Sequence, residues 1–232
     1  MILAGDVGGT RSRLVLYEPG GAGRPVERTM ASREYPDFAS LLRAFLEEVE
    51  ANRLDEIDAA AFGVAGPVRG EGGAACVRAT NLPWTLSAAE LSGVLGGASV
   101  QLVNDLIAVG LGALASPVEG RVVLNPEAEI SSGHAAVLAP GTGLGEAIFF
   151  HDGRRHRPMP SEGGHCDFAP NDAREASLLS FLRGRFGGHV SYERILSGDG
   201  FSSLYAFARQ ASLGRAAADA DRKLAETSDP NA

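Results

Sequence analysis

The sequence predicts an α/β fold, and three observations carry that expectation. Two segments read as strand, glycine turn, strand: one around Gly5-Asp6-Val7-Gly8-Gly9-Thr10, the other around Pro140-Gly141-Thr142-Gly143-Leu144-Gly145. Phe38, Leu41, Leu42, Phe45, Leu46 and Val49 recur at helical spacing on one face. Val100-Gln101-Leu102-Val103 reads as a strand that stops at Asn104-Asp105, where an apolar helix from Leu106 to Ala115 begins.

Met1-Ile2-Leu3-Ala4 and Arg13-Leu14-Val15-Leu16-Tyr17 are the apolar flanks of the first turn, so a β-hairpin is expected there. A third strand is expected at Pro25–Met30, and Pro36-Asp37 supplies the start of the first helix. Ala59–Ala65 reads as a buried strand ending at Gly66-Pro67, and Cys76–Thr80 as a short strand running into Asn81-Leu82-Pro83-Trp84. Ser87 and Glu90 have capping-box spacing for a helix through about Leu95. Ala135–Ala139 is expected to be a second buried strand, followed by the strand Ala147–Phe150. Pro160–Phe168 lacks an apolar pattern and reads as a loop. Asn171-Asp172 caps a helix with Leu178, Leu179, Leu182 and Phe186 inward, ended by Gly187-Gly188. Ser191–Leu196 reads as a short helix closed by Gly198, Phe201–Ser212 as an amphipathic helix with Leu204, Phe207 and Ala208 inward, and the tail from Gly214 as one more helix.

Composition narrows the function classes. The chain has 232 residues and a net charge of −8. That balance argues against nucleic acid or an anionic membrane as the main partner. No apolar run approaches the about 18 residues of a membrane span, and no basic leader precedes the first strand. The two cysteines, Cys76 and Cys166, lack metal-ligand spacing, and so few thiols point to a reducing, cytoplasmic setting.

The glycine turns point to an anion. Without Cβ atoms, the backbone amides of Gly8-Gly9-Thr10 and Gly141-Thr142-Gly143 can be approached closely. Asp6 adds a carboxylate at the first turn, which makes sense if Mg²⁺ sits between it and a phosphate. The first turn is not a Walker loop, since no Gly-Lys-Ser/Thr follows, and not a dinucleotide fingerprint, since a strand follows it. Asn104 and Asp105 lie at a strand end that is also a helix start, the place where open α/β sheets bind ligands. The plain alternative for Asp105 is a helix cap. Glu162 and His165 are metal-ligand types, but a third ligand at workable spacing is missing.

Seven segments together resemble the bacterial glucokinase family of the sugar kinase/actin-like superfamily. They are Gly5–Thr10, Gly63–Val68, Thr80–Trp84, Val103–Asp105, Gly141–Gly145, Glu162–Pro170 and His189–Gly198, in the family's order. The resemblance implies a two-domain actin-like ATPase (ribonuclease H-like) fold with mixed sheets and flanking helices. It implies a small α/β domain over 1–113 and a larger, incomplete one over 114–232 with a cleft between them. It further implies ATP with Mg²⁺ as donor, glucose as acceptor, and a homodimer when complete. Asp105 then resembles the general base on the sugar's 6-hydroxyl, and Asn104, Glu162, His165 and Glu193, with Asp105, the sugar ligands. Gly5, Asp6, Val7, Gly8, Gly9 and Thr10, with Gly141, Thr142 and Gly143, resemble the phosphate loops, and Asp6 the Mg²⁺-side carboxylate. The rival expectation is a sugar-binding relative or fragment without activity. A third, less expected reading is a repressor-type relative, which typically carries a DNA-binding helical pair ahead of the hairpin and a cysteine-rich zinc motif.

The chain departs from the family pattern in three places. Arg11 stands where the family usually has Asn, and Ser197-Gly198-Asp199-Gly200 where it usually has Ser-Gly-Pro-Gly. Family members also continue past residue 232 into an adenosine-binding segment, so a truncated chain is expected.

Overall fold

A computed structural model describes residues 1–18, 20, 24–49, 56–128, 133–211 and 213. It divides into two compact units, Met1–Arg121 and Val122–Ala232. The helix expected from Gly214 onward lies outside the described residues.

The first unit is built on a five-stranded sheet. Strands β1 (Ile2–Val7) and β2 (Arg11–Tyr17) form the expected hairpin, with Val7 opposite Ser12. β3 (Val26–Ala31) pairs with β2, and β4 (Ala59–Val64) lies parallel to β1 on its other side. β8 (Ser99–Asn104) lies parallel to β4, so the spatial order is β3-β2-β1-β4-β8. Between β4 and β8 the chain makes a small sheet of β5 (Val68–Arg69), β6 (Cys76–Arg78) and β7 (Thr85–Ser87). β5 and β7 are too short to leave a periodic signal and were not expected.

Helix α1 (Phe38–Glu48) starts as expected, with the Asp37 carboxylate accepting from the Ser40 amide. Its apolar stripe buries Phe38, Leu41, Leu42, Phe45 and Leu46 against Leu3, Leu14, Phe62 and Val64 of the sheet. The Phe38 and Phe62 rings meet edge to face at 5.0 Å, a geometry favoured by the aromatic quadrupole. Trp84 is buried in the same core beside Phe38. Helix α2 (Ala88–Val94) is capped by the Ser87 hydroxyl on the Glu90 amide, as the capping-box spacing predicts. Helix α3 (Asp105–Ala115) packs on β4 and β8. It covers the other face, because Gly63 meets Ala108 of α3 while its neighbour Phe62 meets α1, and successive strand residues face opposite ways. Of its apolar residues only Gly110 is buried.

The second unit carries a three-stranded antiparallel sheet of β9 (Ala135–Pro140), β10 (Leu144–His151) and β11 (His156–Ser161), in the order β11-β10-β9. β9 corrects the expectation of a buried strand: its residues alternate between half-buried and exposed. The sheet faces inward on one side only, as the fully buried Phe149 and exposed Phe150 of β10 show. β11 takes up the start of the segment expected to be a loop. Helix α4 (Ala173–Phe186) is capped by Asp172 on the Glu175 amide and ended by Gly187 in the left-handed region at φ 73°. Helix α5 (Gly198–Gln210) begins at Gly198, so that glycine opens a helix rather than closing one; Ser197 caps it on the Gly200 amide. Leu178, Leu182, Val190, Ile195 and Phe207 form the core of these helices.

Phe62 is fully buried where sheet and helix meet. Phe62→Ala is expected to cost about 3–5 kcal/mol of the first unit's stability, read from a denaturant midpoint at unchanged slope.

Candidate functional site

The first hairpin presents its turn at the carboxyl end of β1. The Gly8 amide donates to the Arg11 carbonyl at 3.1 Å, so the tip donors to consider for a ligand are those of Gly9 and Thr10. The tip is held from below by two buried serines that the sequence reading missed. The Ser32 hydroxyl donates to the Gly8 carbonyl at 2.7 Å and lies 2.9 Å from the Ser12 hydroxyl. The Ser32 amide donates to the Thr10 carbonyl at 3.0 Å. The only available signal was a serine inside the apolar strand β2. Asn81 packs against Gly9, and Thr80 ties its segment to the Ala65 carbonyl.

Parallel pairing sets Asp6, Gly63 and Val103 abreast on β1, β4 and β8. Asp105 follows two residues beyond Val103. Gly63 permits the approach: a Cβ there would meet Ala108 Cβ at 3.1 Å and Asp105 Cα at 3.7 Å. Burial pushes the Asp6 carboxyl above the usual range, and the negative charge of Asp105 pushes it the same way. Arg13 offsets this in part while its guanidinium is held by both Glu27 oxygens, at 2.6 and 2.9 Å. A half-buried carboxylate whose charged form is disfavoured by burial and by a neighbouring negative charge suits a divalent cation, and Mg²⁺ needs only one or two carboxylates. Asp6 therefore fits the carboxylate expected on the Mg²⁺ side. Beside them Ala4, Asp6, Arg13, Val15, Ala61, Val103 and Ala108 line a mainly apolar trough of about 300 Å³.

Asn104, not Asp105, caps α3. Its Oδ1 accepts from the Leu106 amide at 3.1 Å and its Nδ2 donates to the Gly66 carbonyl at 3.2 Å. One proton and one lone pair of the amide remain for a further partner. Asp105 Oδ1 also accepts from the Leu106 amide, at 2.9 Å. That bond holds the half-buried carboxylate in one orientation at the helix start.

The second unit brings together Glu162, His165 and Glu193. His165 Nε2 lies 3.7 Å from Glu162 Oε2, and its Nδ1 3.9 Å from Glu193 Oε1. Gly163–His165 form one 3₁₀ turn, with Gly164 pressed so close to β10 that a Cβ would lie 2.2 Å from the Leu144 carbonyl. Glu193 sits in a second 3₁₀ turn, Tyr192–Arg194. The two turns are laced by Phe168 N–H to Val190 carbonyl at 2.8 Å and Tyr192 N–H to Cys166 carbonyl at 3.0 Å. A contact between His189 Nε2 and Asp167 Oδ1 at 2.8 Å adds to the lacing. Glu193 Oε2 accepts from the Leu144 amide at 3.0 Å, directly after the turn Gly141-Thr142-Gly143. Among the described residues, no group of three or more His, Cys, Asp or Glu side chains is placed to hold a metal ion. No described helix is long and apolar enough to cross a membrane.

Comparison with known proteins decides the family. The glucokinase family model matches residues 3–230. The chain belongs to the glucokinase family. It is 35% identical to a glucokinase of Escherichia coli K12 over 228 residues, which is 98% of this chain and 65% of that protein. It is 35% identical to a glucokinase of Tolumonas auensis over 204 residues, 88% of this chain and 61% of the relative. The chain thus spans less than two thirds of the length of these curated relatives. Among solved structures, the glucokinase of an Antarctic psychrotroph matches with a TM-score of 0.75 at 28% identity, covering 97% of this chain and 70% of that one. A glucokinase of Balamuthia mandrillaris in complex with glucose matches with a TM-score of 0.65 at 22% identity, a likeness of fold. The fold is that of the actin-like ATPases to which these glucokinases belong.

The raised Asp6 carboxyl has a consequence for stability. Ionising it costs free energy in the folded state, so the cost is present above the folded pKa and vanishes as pH falls below the ordinary carboxylate range. Asp6→Asn is expected to be at least as stable as the parent near pH 7, by less than about 1 kcal/mol after solvent screening. The difference should close near pH 3 in parallel thermal melts.

Proposed function

We propose that the protein is an ATP-dependent glucokinase that transfers the γ-phosphoryl group of ATP to the 6-hydroxyl of glucose. The observation that carries this reading is Asp105: a half-buried carboxylate fixed by the Leu106 amide at the start of α3, beside Asp6 and the hairpin turn.

Each unit supplies part of what the reaction needs. In the first, Asp105 accepts the proton of the 6-hydroxyl as the oxygen attacks phosphorus. A positioned base contributes about 10²–10⁴-fold in rate. Asn104 offers its remaining amide proton and lone pair to a sugar hydroxyl. Asp6 stands on the metal side, and the amides of Gly9 and Thr10 face the phosphates. Bound Mg²⁺ would neutralise phosphate charge. In the second unit, Glu162 and Glu193 accept from sugar hydroxyls, and His165 between them donates or accepts by its tautomer. A sugar analogue lacking one of these hydroxyls would leave a carboxylate unpaired and be rejected. The turn Gly141-Thr142-Gly143 offers the second set of phosphate donors. The rest of the acceleration comes from positioning and charge neutralisation, as in phosphoryl transfer generally.

Asp105→Asn preserves shape and a side-chain oxygen for the Leu106 amide but removes the base. The turnover number for glucose 6-phosphate formation is expected to fall by about 10²–10⁴-fold while the calorimetric glucose affinity stays near the parent's. Near-parental turnover would remove Asp105 from the base role.

A further inference from the structure

Glu193 has two oxygens with different tasks. Oε1 faces His165 at 3.9 Å, in the group proposed above to bind sugar. Oε2 accepts from the Leu144 amide at 3.0 Å, at the end of the turn proposed to bind phosphate. The turn packs against the carboxylate: a Cβ on Gly143 would lie 2.6 Å from Oε2 and 3.3 Å from Cδ. The same segment grips the turn again at its start, where the Gly198 amide donates to the Gly141 carbonyl at 2.9 Å. Between these two grips the turn closes on itself through Gly141 N–H to Gly143 carbonyl at 2.8 Å.

We infer that Glu193 is a coupling residue, through which occupation of the sugar subsite sets the conformation of the Gly141-Thr142-Gly143 turn. The inference rests on the sugar-binding role proposed for Glu193. A carboxylate that accepts from Leu144 on one oxygen and from a sugar hydroxyl on the other is fixed in position by both partners. Sugar binding therefore tightens the Leu144 bond and orders the turn. Coupling between two sites is reciprocal. A change in the turn that disfavours the ordered state must then weaken sugar binding, although no side chain of the turn is needed to touch the sugar.

Gly143→Ala tests this. The added methyl would press on Glu193 Oε2 while every proposed sugar ligand stays in the chain, so the affinity loss counts for the coupling together with the Leu144 exchange readout below. Calorimetric titration with glucose is expected to show about fivefold or greater loss of affinity in Gly143→Ala. Hydrogen exchange at the Leu144 amide supplies a second readout in the unsubstituted protein. Glucose should slow it, and Glu193→Ala, without sugar, should speed it by about tenfold. Glu162→Ala serves as the control: it should weaken glucose binding yet leave sugar-free Leu144 exchange unchanged. Unchanged glucose affinity in Gly143→Ala, or Leu144 exchange indifferent to bound glucose, overturns the coupling while leaving the sugar role of Glu193 intact. Parental glucose affinity in Glu193→Ala, or no glucose binding by the unsubstituted chain, overturns the sugar role and the coupling with it.

Discussion

The parallel alignment of β1, β4 and β8 is the constraint on which the first unit depends. Parallel pairing brings the carboxyl ends of all three strands to one edge, where Val7, Val64 and Asn104 end them. Asp6, the hairpin turn and Asp105 all stand at that edge because of it. A one-residue slip of β1 would turn Asp6 into the core under α1 and α2 and Val7 to the opposite face. The core prevents the slip: Leu3, Val7, Leu14 and Phe62 are buried, and each belongs to the face covered by α1 and α2. The positions of the acidic groups are thus fixed by apolar packing on the opposite side of the sheet.

The second unit solves a similar problem with irregular backbone. Glu162, His165 and Glu193 lie on two 3₁₀ turns far apart in sequence, and hydrogen bonds between main chains carry the alignment. Gly163 and Gly164 allow the first turn to lie directly on β10. These contacts are mostly polar and partly exposed, so each contributes modestly, and the arrangement rests on their number. This contrasts with the first unit, where apolar packing sets the edge.

Much of this was legible in the sequence, for physical reasons. The helical stripe from Phe38, the Asp37, Ser87 and Asp172 caps and the two glycine turns are local signals, set by residues a few positions apart. β11 was missed because His156–Ser161 is largely exposed and carries no apolar alternation, and it holds Pro158 and Pro160. It survives as an edge strand, where missing amides cost little. The buried pair Ser12 and Ser32 was missed because two serines 20 residues apart carry no pattern until β2 and β3 are folded together. Family motifs named Glu162, His165 and Glu193 as one set. Spacing alone did not, since the two turns meet only through tertiary contacts.

The central claim is chemical: phosphoryl transfer to one hydroxyl of one sugar. Carbon-13 NMR of glucose labelled at C6, incubated with the protein and Mg-ATP, reads that transfer directly. The account predicts a new C6 resonance split by coupling to phosphorus, growing with ADP in equal amounts. A persistently unsplit C6 signal, whether ATP is untouched, is hydrolysed without the sugar, or phosphorylates another carbon's hydroxyl, would contradict it.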